Sequence, residues 1–187
     1  RQGLMERADF NDLDIFRQWV AGGASIMSSS CMAYAKEFLP YRLQTHELGQ
    51  LRYASITTPK SWERYGIHAL SAVYPILGPG FVSGRNTGAA ERNIVHFKHA
   101  SGADVTVVAI EDMYGSFGCL QLCGTAASVQ VQFKDTFYAF KEQLTDFVRF
   151  LETGVRPYPF TETEELMRMV IAGIQSREQD GVEIQVM

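Results

Sequence analysis

Two hydrophobic periods occur along the chain and divide it into regions. Up to residue 80, and again from residue 136, most apolar positions recur every three or four residues, which is typical of helices with one buried face. Between residues 81 and 134 apolar and polar positions alternate, which is typical of strands that bury one face. The pattern predicts a run of strands with helices before and after it in the sequence.

Helix signals occur at five places. The first helix is predicted to begin after Asp9, a good N-cap residue, and to end at Gly22. The third is predicted to stop at the sequence Gly78-Pro79-Gly80, which cannot continue a helix. The helices after the first are predicted at residues 32–47, broken or bent near Pro40, and at residues 61–80, 136–153 and 161–180.

Strand signals are shorter and more numerous. A run of small and apolar residues at 24–28 predicts a buried strand directly after the first helix. Alternating positions predict further strands at residues 51–58, 81–88, 92–99, 104–110, 117–123, 128–133 and 182–186. The short turns between strands in the middle of the chain predict antiparallel pairing there.

These elements together predict an α+β fold. Its centre is an open, mainly antiparallel sheet of about five to six strands, covered on one face by helices and preceded by a helix–strand unit. The helix at 136–153 is predicted to supply the cover, because its apolar residues share one side. These residues are Phe137, Phe140, Leu144, Phe147 and Leu151.

Composition excludes several classes of function. The 187 residues are 46% hydrophobic and 20% charged with a net charge of −4, and Lys and Arg form no cluster that would suit nucleic acid. No apolar run approaches the roughly 20 residues of a membrane span. Three cysteines, an odd number, favour the reducing cytoplasm. Cys119 and Cys123 have no second Cys or His pair nearby, so no metal site is predicted.

Reactive side chains concentrate in the predicted helix at 61–80. Tyr65 and His68 are three residues apart and share a helix face, and Arg64 lies one turn before His68. Histidine transfers protons near neutral pH, and the neighbouring guanidinium is expected to favour the neutral, basic form of the imidazole. The alternative is that His68 is a hydrogen-bonded core residue without a chemical role.

Three stretches resemble the Gfo/Idh/MocA-type oxidoreductases, the family of glucose–fructose oxidoreductase and inositol dehydrogenase. ASIMSSSCMAYAKEFLPY resembles the family's last Rossmann strand and crossing helix, and YGIHALSAVYPILGPG resembles its G-x-H-x-x-D helix. The stretch from TFYAFKEQL to DGVEIQV resembles the closing helix, TG-x-x-P turn, helix and strand. The resemblance extends from about Asp9 to Val186.

The resemblance implies two domains and a reaction. Residues 1–30 would be the remnant of an N-terminal dinucleotide-binding Rossmann domain, and residues 31–187 a C-terminal domain for substrate binding and dimerisation. The parent protein would transfer a hydride between NAD or NADP and a sugar, polyol or similar small molecule. His68 aligns with the family's proton-transfer histidine, and Arg64, Tyr65 and Tyr34 are candidates for substrate binding.

Several family features differ in this chain. The aspartate that often lies one turn before the histidine is replaced by Arg64, and the later aspartate of the motif by Ser71. The Gly-rich loop and Lys-Pro motif are absent, so this stretch alone is expected to bind no cofactor and to be inactive. The alternative is a non-catalytic member that binds a ligand or forms a homo-oligomer through the sheet face. Gln130, Gln132 and Cys119 would then lie on or near the shared surface.

Overall fold

The computed structural model describes residues 9–42 and 47–186. Within these ranges one open sheet contains β1 (Leu51–Pro59), β2 (Phe81–Asn86), β3 (Arg92–His99), β4 (Asp104–Ile110), β5 (Cys119–Gly124), β6 (Ser128–Gln132) and β7 (Ile184–Gln185). The α-helices there are α1 (Leu13–Ala21), α2 (Ile67–Leu77), α3 (Thr136–Thr153) and α4 (Phe160–Glu178). None of these helices is long and apolar enough to cross a membrane. The predicted α+β class with an open, mainly antiparallel sheet is confirmed.

The strand order is β6-β5-β1-β4-β3-β2-β7, with seven strands in place of the five to six expected. β2, β3 and β4 follow one another as antiparallel neighbours, and β5 and β6 form a hairpin. β1 lies between these two groups, antiparallel to β5 and parallel to β4. The first strand of the sheet in sequence thus joins its two halves.

The two faces of the sheet differ in burial. On one face the central side chains have no exposed surface, among them Ile56 on β1, Val107 on β4 and Phe97 on β3. α2 and α4 pack on this face. The opposite face carries Gln121, Gln130 and the partly exposed side chain of Ile94. A helical cover on one face, as predicted, is therefore confirmed.

The helix predicted at 32–47 is wrong in its described part. The chain there forms two short 3₁₀ turns, Cys31–Tyr34 and Leu39–Tyr41, and residues 43–46 of the prediction lie outside the described residues. Pro40 sits in the first turn of the second of these. Proline has no N–H and clashes with the preceding turn, so it disfavours a continuous helix at this point.

The strand predicted at 24–28 is also wrong. These residues form no ladder with any described strand, and the sheet begins only at β1. Side chains take the place of a neighbouring strand, since both Ala24 and Ile26 direct their carbonyl oxygens to the Arg156 guanidinium, at 3.2 and 2.5 Å. The segment is only partly buried, and its hydrogen-bond partner is a side chain.

The apolar stripe of α3 does not cover the sheet. α3 packs on the Cys31–Tyr34 turn and buries only Ala139 and Phe150 fully. Four of the five residues predicted to face the core are 49–80% exposed, and they are Phe137, Phe140, Leu144 and Leu151. The helix was predicted correctly and its orientation was not, because the face on the sheet is already occupied by α2 and α4.

Candidate active site

The candidate site is built on the connection from β1 to α2. A π-helical turn, Trp62–Gly66, precedes α2, and Trp62 is fully buried with its Nε1–H donating to a backbone carbonyl of α4 at 2.9 Å. Gly66 and Gly173 make room for the indole, since a Cβ at these positions would lie 2.9 and 2.6 Å from it. The indole anchors the start of α2 to α4, and so fixes the next turn, which carries His68.

The imidazole of His68 is enclosed by one hydroxyl and two rings. Its Nδ1 is 2.9 Å from Ser30 Oγ. The rings of Tyr65 and Phe117 meet it edge to face, with centroids at 5.2 and 6.1 Å. The predicted proximity of Tyr65 and His68 is confirmed. These three contacts leave Nε2 as the ring nitrogen without a hydrogen bond to any described residue.

Burial lowers the pKa of His68 below its ordinary value, because the charged imidazolium loses water. The sequence had suggested Arg64 as the cause of a neutral ring, but Arg64 is exposed and desolvation is the cause that the structure supports. When the neutral ring carries its proton on Nδ1, that N–H donates to Ser30 Oγ and the Nε2 lone pair is available. In this tautomer His68 can accept a proton near neutral pH.

His68 borders a cavity of about 200 Å³ between residues 28–30, α2 and α4. Polar groups on its wall include the hydroxyls of Ser30, Ser71 and Thr163, and apolar side chains of α4 complete the lining. Glu63 also borders the cavity, but its carboxylate is paired with Arg177 at 2.6 Å. The Glu63 carboxylate is thus already engaged, whereas His68 Nε2 has no hydrogen bond to any described residue, so His68 is the better candidate for accepting a proton.

Ser71 contributes a buried hydroxyl that lacks a partner. Its side chain is on α2, one turn after His68, and only 2% of the residue is exposed. Within residues 9–42 and 47–186 its Oγ makes no hydrogen bond. An unsatisfied buried hydroxyl costs about 1–3 kcal/mol. A ligand hydroxyl in the cavity would remove that cost.

The segment that carries Ser30 is held by side chains from α3 and the loop after it. Arg156 bonds two of the segment's carbonyl oxygens, as described above, and Tyr158 Oη donates to Ser28 O at 3.0 Å. Gln143 Nε2 donates to Ser29 O at 2.9 Å. Sequence reasoning did not reveal that Arg156 and Tyr158, on the connector between α3 and α4, hold this segment in place.

Comparison with known proteins gives a fold. No protein-family model matches the sequence, and no curated protein matches it significantly. The structure matches myo-inositol dehydrogenases from Corynebacterium glutamicum (TM-score 0.77, 16% identity) and Lactobacillus plantarum (TM-score 0.77, 14% identity). Each match covers 96% of this chain and 70% of the dehydrogenase. An inositol dehydrogenase homologue from Azotobacter vinelandii, complexed with NADH and myo-inositol, matches over 94% of this chain and 68% of its own (TM-score 0.71, 14% identity).

The chain shares its fold with these oxidoreductases. The predicted resemblance to the Gfo/Idh/MocA type is therefore confirmed in architecture. Likeness at 14–16% identity establishes fold alone, and the functions of individual residues depend on the site described above.

The remaining predicted site residues lie apart from the His68 cavity. Arg64 is exposed on the π-helical turn and does not line the cavity. Tyr34 lines a separate space on the other side of Ser71, beside Arg42. Ser30 and Phe117 are the neighbours of the imidazole that sequence reasoning missed, since Ser30 lies on a loop and Phe117 lies in a turn before β5 and not in the strand predicted there.

The described residues do not suit a whole dinucleotide. In the oxidoreductase fold a glycine-rich turn between a strand and a helix holds the pyrophosphate. The strand-to-helix connections described here run from β1 into the π-helical turn and from β6 into α3, and within the described residues neither contains a glycine. No nucleotide-binding residue is assigned to this chain.

Proposed function

We propose that this chain is the substrate domain of an NAD(P)-dependent oxidoreductase that acts on a hydroxyl group of a sugar or polyol. Two findings support the proposal. The fold is shared with dehydrogenases, and one of the similar structures is a complex with NADH and myo-inositol. The proposal depends most on the observation that His68 lines a partly polar cavity and that burial lowers its pKa, which favours the neutral imidazole.

In the proposed reaction His68 accepts the proton of the reacting hydroxyl. Oxidation of a secondary alcohol removes a hydride and a proton, and the nicotinamide cofactor supplies the hydride acceptor when a nucleotide-binding domain is present. Ser30 Oγ, 2.9 Å from Nδ1, would fix the tautomer and stabilise the imidazolium that forms. Tyr65 and Phe117 restrict the rotation of the ring and exclude water from its sides.

His68→Asn tests this function in a protein that carries both this chain and a nucleotide-binding domain. Loss of the base is expected to lower kcat by about 10²–10⁴-fold while leaving the Kd for NADH unchanged. His96→Asn, on the opposite face of the sheet, is the matched control and is expected to retain turnover. Wild-type turnover by His68→Asn with myo-inositol and other polyols would reject the function proposed for His68.

The second candidate is a non-catalytic domain that only binds its ligand. Arg64 and Ser71 favour it, because they occupy the places of two aspartates of the resembled motif and so mark the loss of its acid/base set. Saturable binding of a polyol by calorimetry, without any NAD(P) reduction, would support this candidate over the enzyme.

We further propose that residues 1–30 belong to a nucleotide-binding domain and residues 31–187 to the substrate domain. The apolar side of α1 supports this division, since Ile15, Phe16 and Trp19 are 40–49% exposed and suit packing against further chain. Fusing or adding a nucleotide-binding domain is expected to protect these side chains from solvent, as measured by the fluorescence of Trp19. Unchanged emission would count against the division.

We also propose that the open face of the sheet pairs two copies of the chain. Ile94 is 42% exposed on this face, and the predicted residues Gln130, Gln132 and Cys119 lie on the same face. Sedimentation velocity is expected to show a dimer that Ile94→Asp dissociates. A monomer at high protein concentration would reject the proposed pairing through the sheet face.

A further inference from the structure

A second and larger cavity lies on the far side of Ser71. Its volume is about 340 Å³, and it opens between the Tyr34 turn, the end of α2 and the loop that follows α3. Tyr34, Arg42, Asp146, Tyr158 and Glu162 supply its polar lining. The guanidinium of Arg42 lies over the ring of Tyr34, 6.0 Å from its centroid. The proposed chemistry at His68 uses none of these groups.

A third, small cavity of about 60 Å³, which we call the neck, shares lining residues with each of the other two. Its wall shares Ser30 and Ser71 with the His68 cavity, and it shares Tyr158 and Glu162 with the Arg42 cavity. Ser71, whose buried Oγ has no partner among the described residues, lines both the His68 cavity and the neck. A group that passes through the neck would meet this hydroxyl.

The charges of the second cavity favour a neutral ligand. Burial lowers the pKa of Arg42 and raises the pKa of Glu162, so both charged forms are disfavoured by loss of water. An anion would face two carboxylates, Asp146 and Glu162, and a cation would face Arg42. Vicinal hydroxyls suit this mixture, because each can both donate to a carboxylate and accept from a guanidinium.

The volumes favour a ligand that occupies both spaces. Pockets for small molecules typically measure roughly 300–1,000 Å³. The cavity at His68, at about 200 Å³, is below that range, and it reaches the range only together with the neck and the second cavity. A ligand confined to His68 would also leave the polar lining around Arg42 unused.

We propose that the site binds a neutral, polyhydroxylated molecule of two rings, such as a disaccharide or a glycosylated polyol. One ring presents its hydroxyl to His68, the link between the rings passes Ser71, and the second ring lies against Tyr34 and Arg42. This inference rests on the proposed function, since it names the substrate class of the same site.

Binding by the wild-type chain tests the inference with sugars of one and two rings. The probes are myo-inositol and glucose on one side, and maltose, cellobiose and trehalose on the other, titrated by calorimetry. At least one two-ring sugar is expected to bind about tenfold or more tightly than either one-ring sugar, which corresponds to about 1.4 kcal/mol. Equal affinities, or no binding by any probe, would overturn the inference.

Arg42→Met distinguishes the second cavity from the first. This variant is expected to remove the advantage of the two-ring sugar and to leave the affinity for one-ring sugars unchanged. Arg92→Met, at an exposed position on β3, is the matched control and is expected to leave both affinities unchanged. An equal loss for one-ring and two-ring sugars in Arg42→Met would contradict the division into two subsites.

A second measurement keeps the test independent of the variant's folding. In the wild-type chain, the backbone amide of Ala33 lies on the second cavity and is expected to shift in the NMR spectrum with the two-ring sugar only. The amide of Met167 lies on the His68 cavity and is expected to shift with both classes. Loss of turnover in His68→Asn without any two-ring preference would leave the proposed function intact and reject this inference alone.

Discussion

α3 and α4 are helices of nearly equal length that use their apolar residues differently. α4, with 19 residues, buries Met169, Val170, Ala172 and Ile174 in one core with α2 and the sheet. α3, with 18 residues, has the clearer apolar stripe in the sequence, yet most of that stripe is exposed. Amphipathic spacing therefore indicates that a helix has an apolar face, and it does not indicate what covers that face.

The region around α4 and α2 and the region that carries α3 also differ in how they hold the candidate site. α4 fixes the backbone of α2 through close packing around Trp62, whereas the side of the molecule that carries α3 positions the Ser30 segment through polar side chains. His68 lies where the two regions meet, since its own helix belongs to the first and its Nδ1 partner to the second. Substitutions in the first region should therefore affect stability more strongly.

Trp62→Ala is expected to have the largest effect. Removing a fully buried indole typically costs about 3–5 kcal/mol, because the cavity that remains is only partly filled. The hydrogen bond from Nε1 to α4 is lost as well. Urea denaturation measures the change in the free energy of unfolding.

Trp19→Ala is the matched control for the indole. Trp19 lies on α1 and is 49% exposed, so the same truncation there is expected to cost well under half as much as at Trp62. Similar losses at the two positions would show that burial in the core around α4 does not dominate the stability of this chain.

Local periodicity predicted much of the fold and little of its assembly. The strands β2 to β6 and the helices α2, α3 and α4 were found from spacing, because each period is a property of one segment. The insertion of β1 beside β4 was not predicted, since alternation gives the buried face of a strand and not its neighbours. For a related reason the sequence did not indicate that the segment at 24–28 lies outside the sheet. Its hydrogen-bond partner is a side chain about 130 residues away.

In the candidate site, too, neighbours on one helix were predicted from the sequence and neighbours from distant segments were not. Tyr65 and His68 were identified together because three residues along a helix bring side chains onto one face. Ser30 is 38 residues from His68 in sequence, and only the tertiary fold brings its hydroxyl to Nδ1. Arg64 was expected to tune the imidazole, but sequence proximity did not place it in the cavity.

Gly173→Ala tests the packing of α4. The sign of its effect on the free energy of unfolding shows whether packing against Trp62 or helix propensity dominates at this position. On an exposed helix surface the change from Gly to Ala stabilises by about 1 kcal/mol. At Gly173 the new methyl group would lie 2.6 Å from the indole of Trp62, so we expect a loss of about 1–3 kcal/mol. Thermal and urea unfolding measure it, and Trp62→Phe in the same chain should recover part of the loss.

The pH dependence of stability tests the environment of His68, which lies where the two regions meet. Because burial lowers the pKa of His68 in the folded state, the unfolded chain binds the proton more readily between that pKa and about 6.5. The stabilising contribution of a neutral His68 is therefore complete above about pH 6.5 and is lost as the pH falls through the folded-state pKa. Unfolding between pH 7.5 and 5 should show a smaller acid-dependent loss in His68→Gln than in the wild type.

An NMR titration of the His68 ring measures directly whether its pKa lies below the ordinary value. A midpoint above about 6.5 would contradict the effect of burial. Ser30→Ala removes the hydroxyl at Nδ1 and is expected to change the tautomer balance of the ring without unfolding the chain. Thr145→Ala, on the exposed side of α3, is a control that should leave both the midpoint and the tautomer as they are.

Leu144→Ala is expected to have the smallest effect and to decide the comparison between the helices. Leu144 is 60% exposed on α3, so its truncation should change the free energy of unfolding by no more than about 0.5 kcal/mol. Ile171→Ala on α4, where the side chain is 2% exposed, should cost about 2–5 kcal/mol in the same urea titration. Comparable costs at the two positions would mean that the stripe on α3 is covered in solution, and that the two helices do not differ in the way their burial indicates.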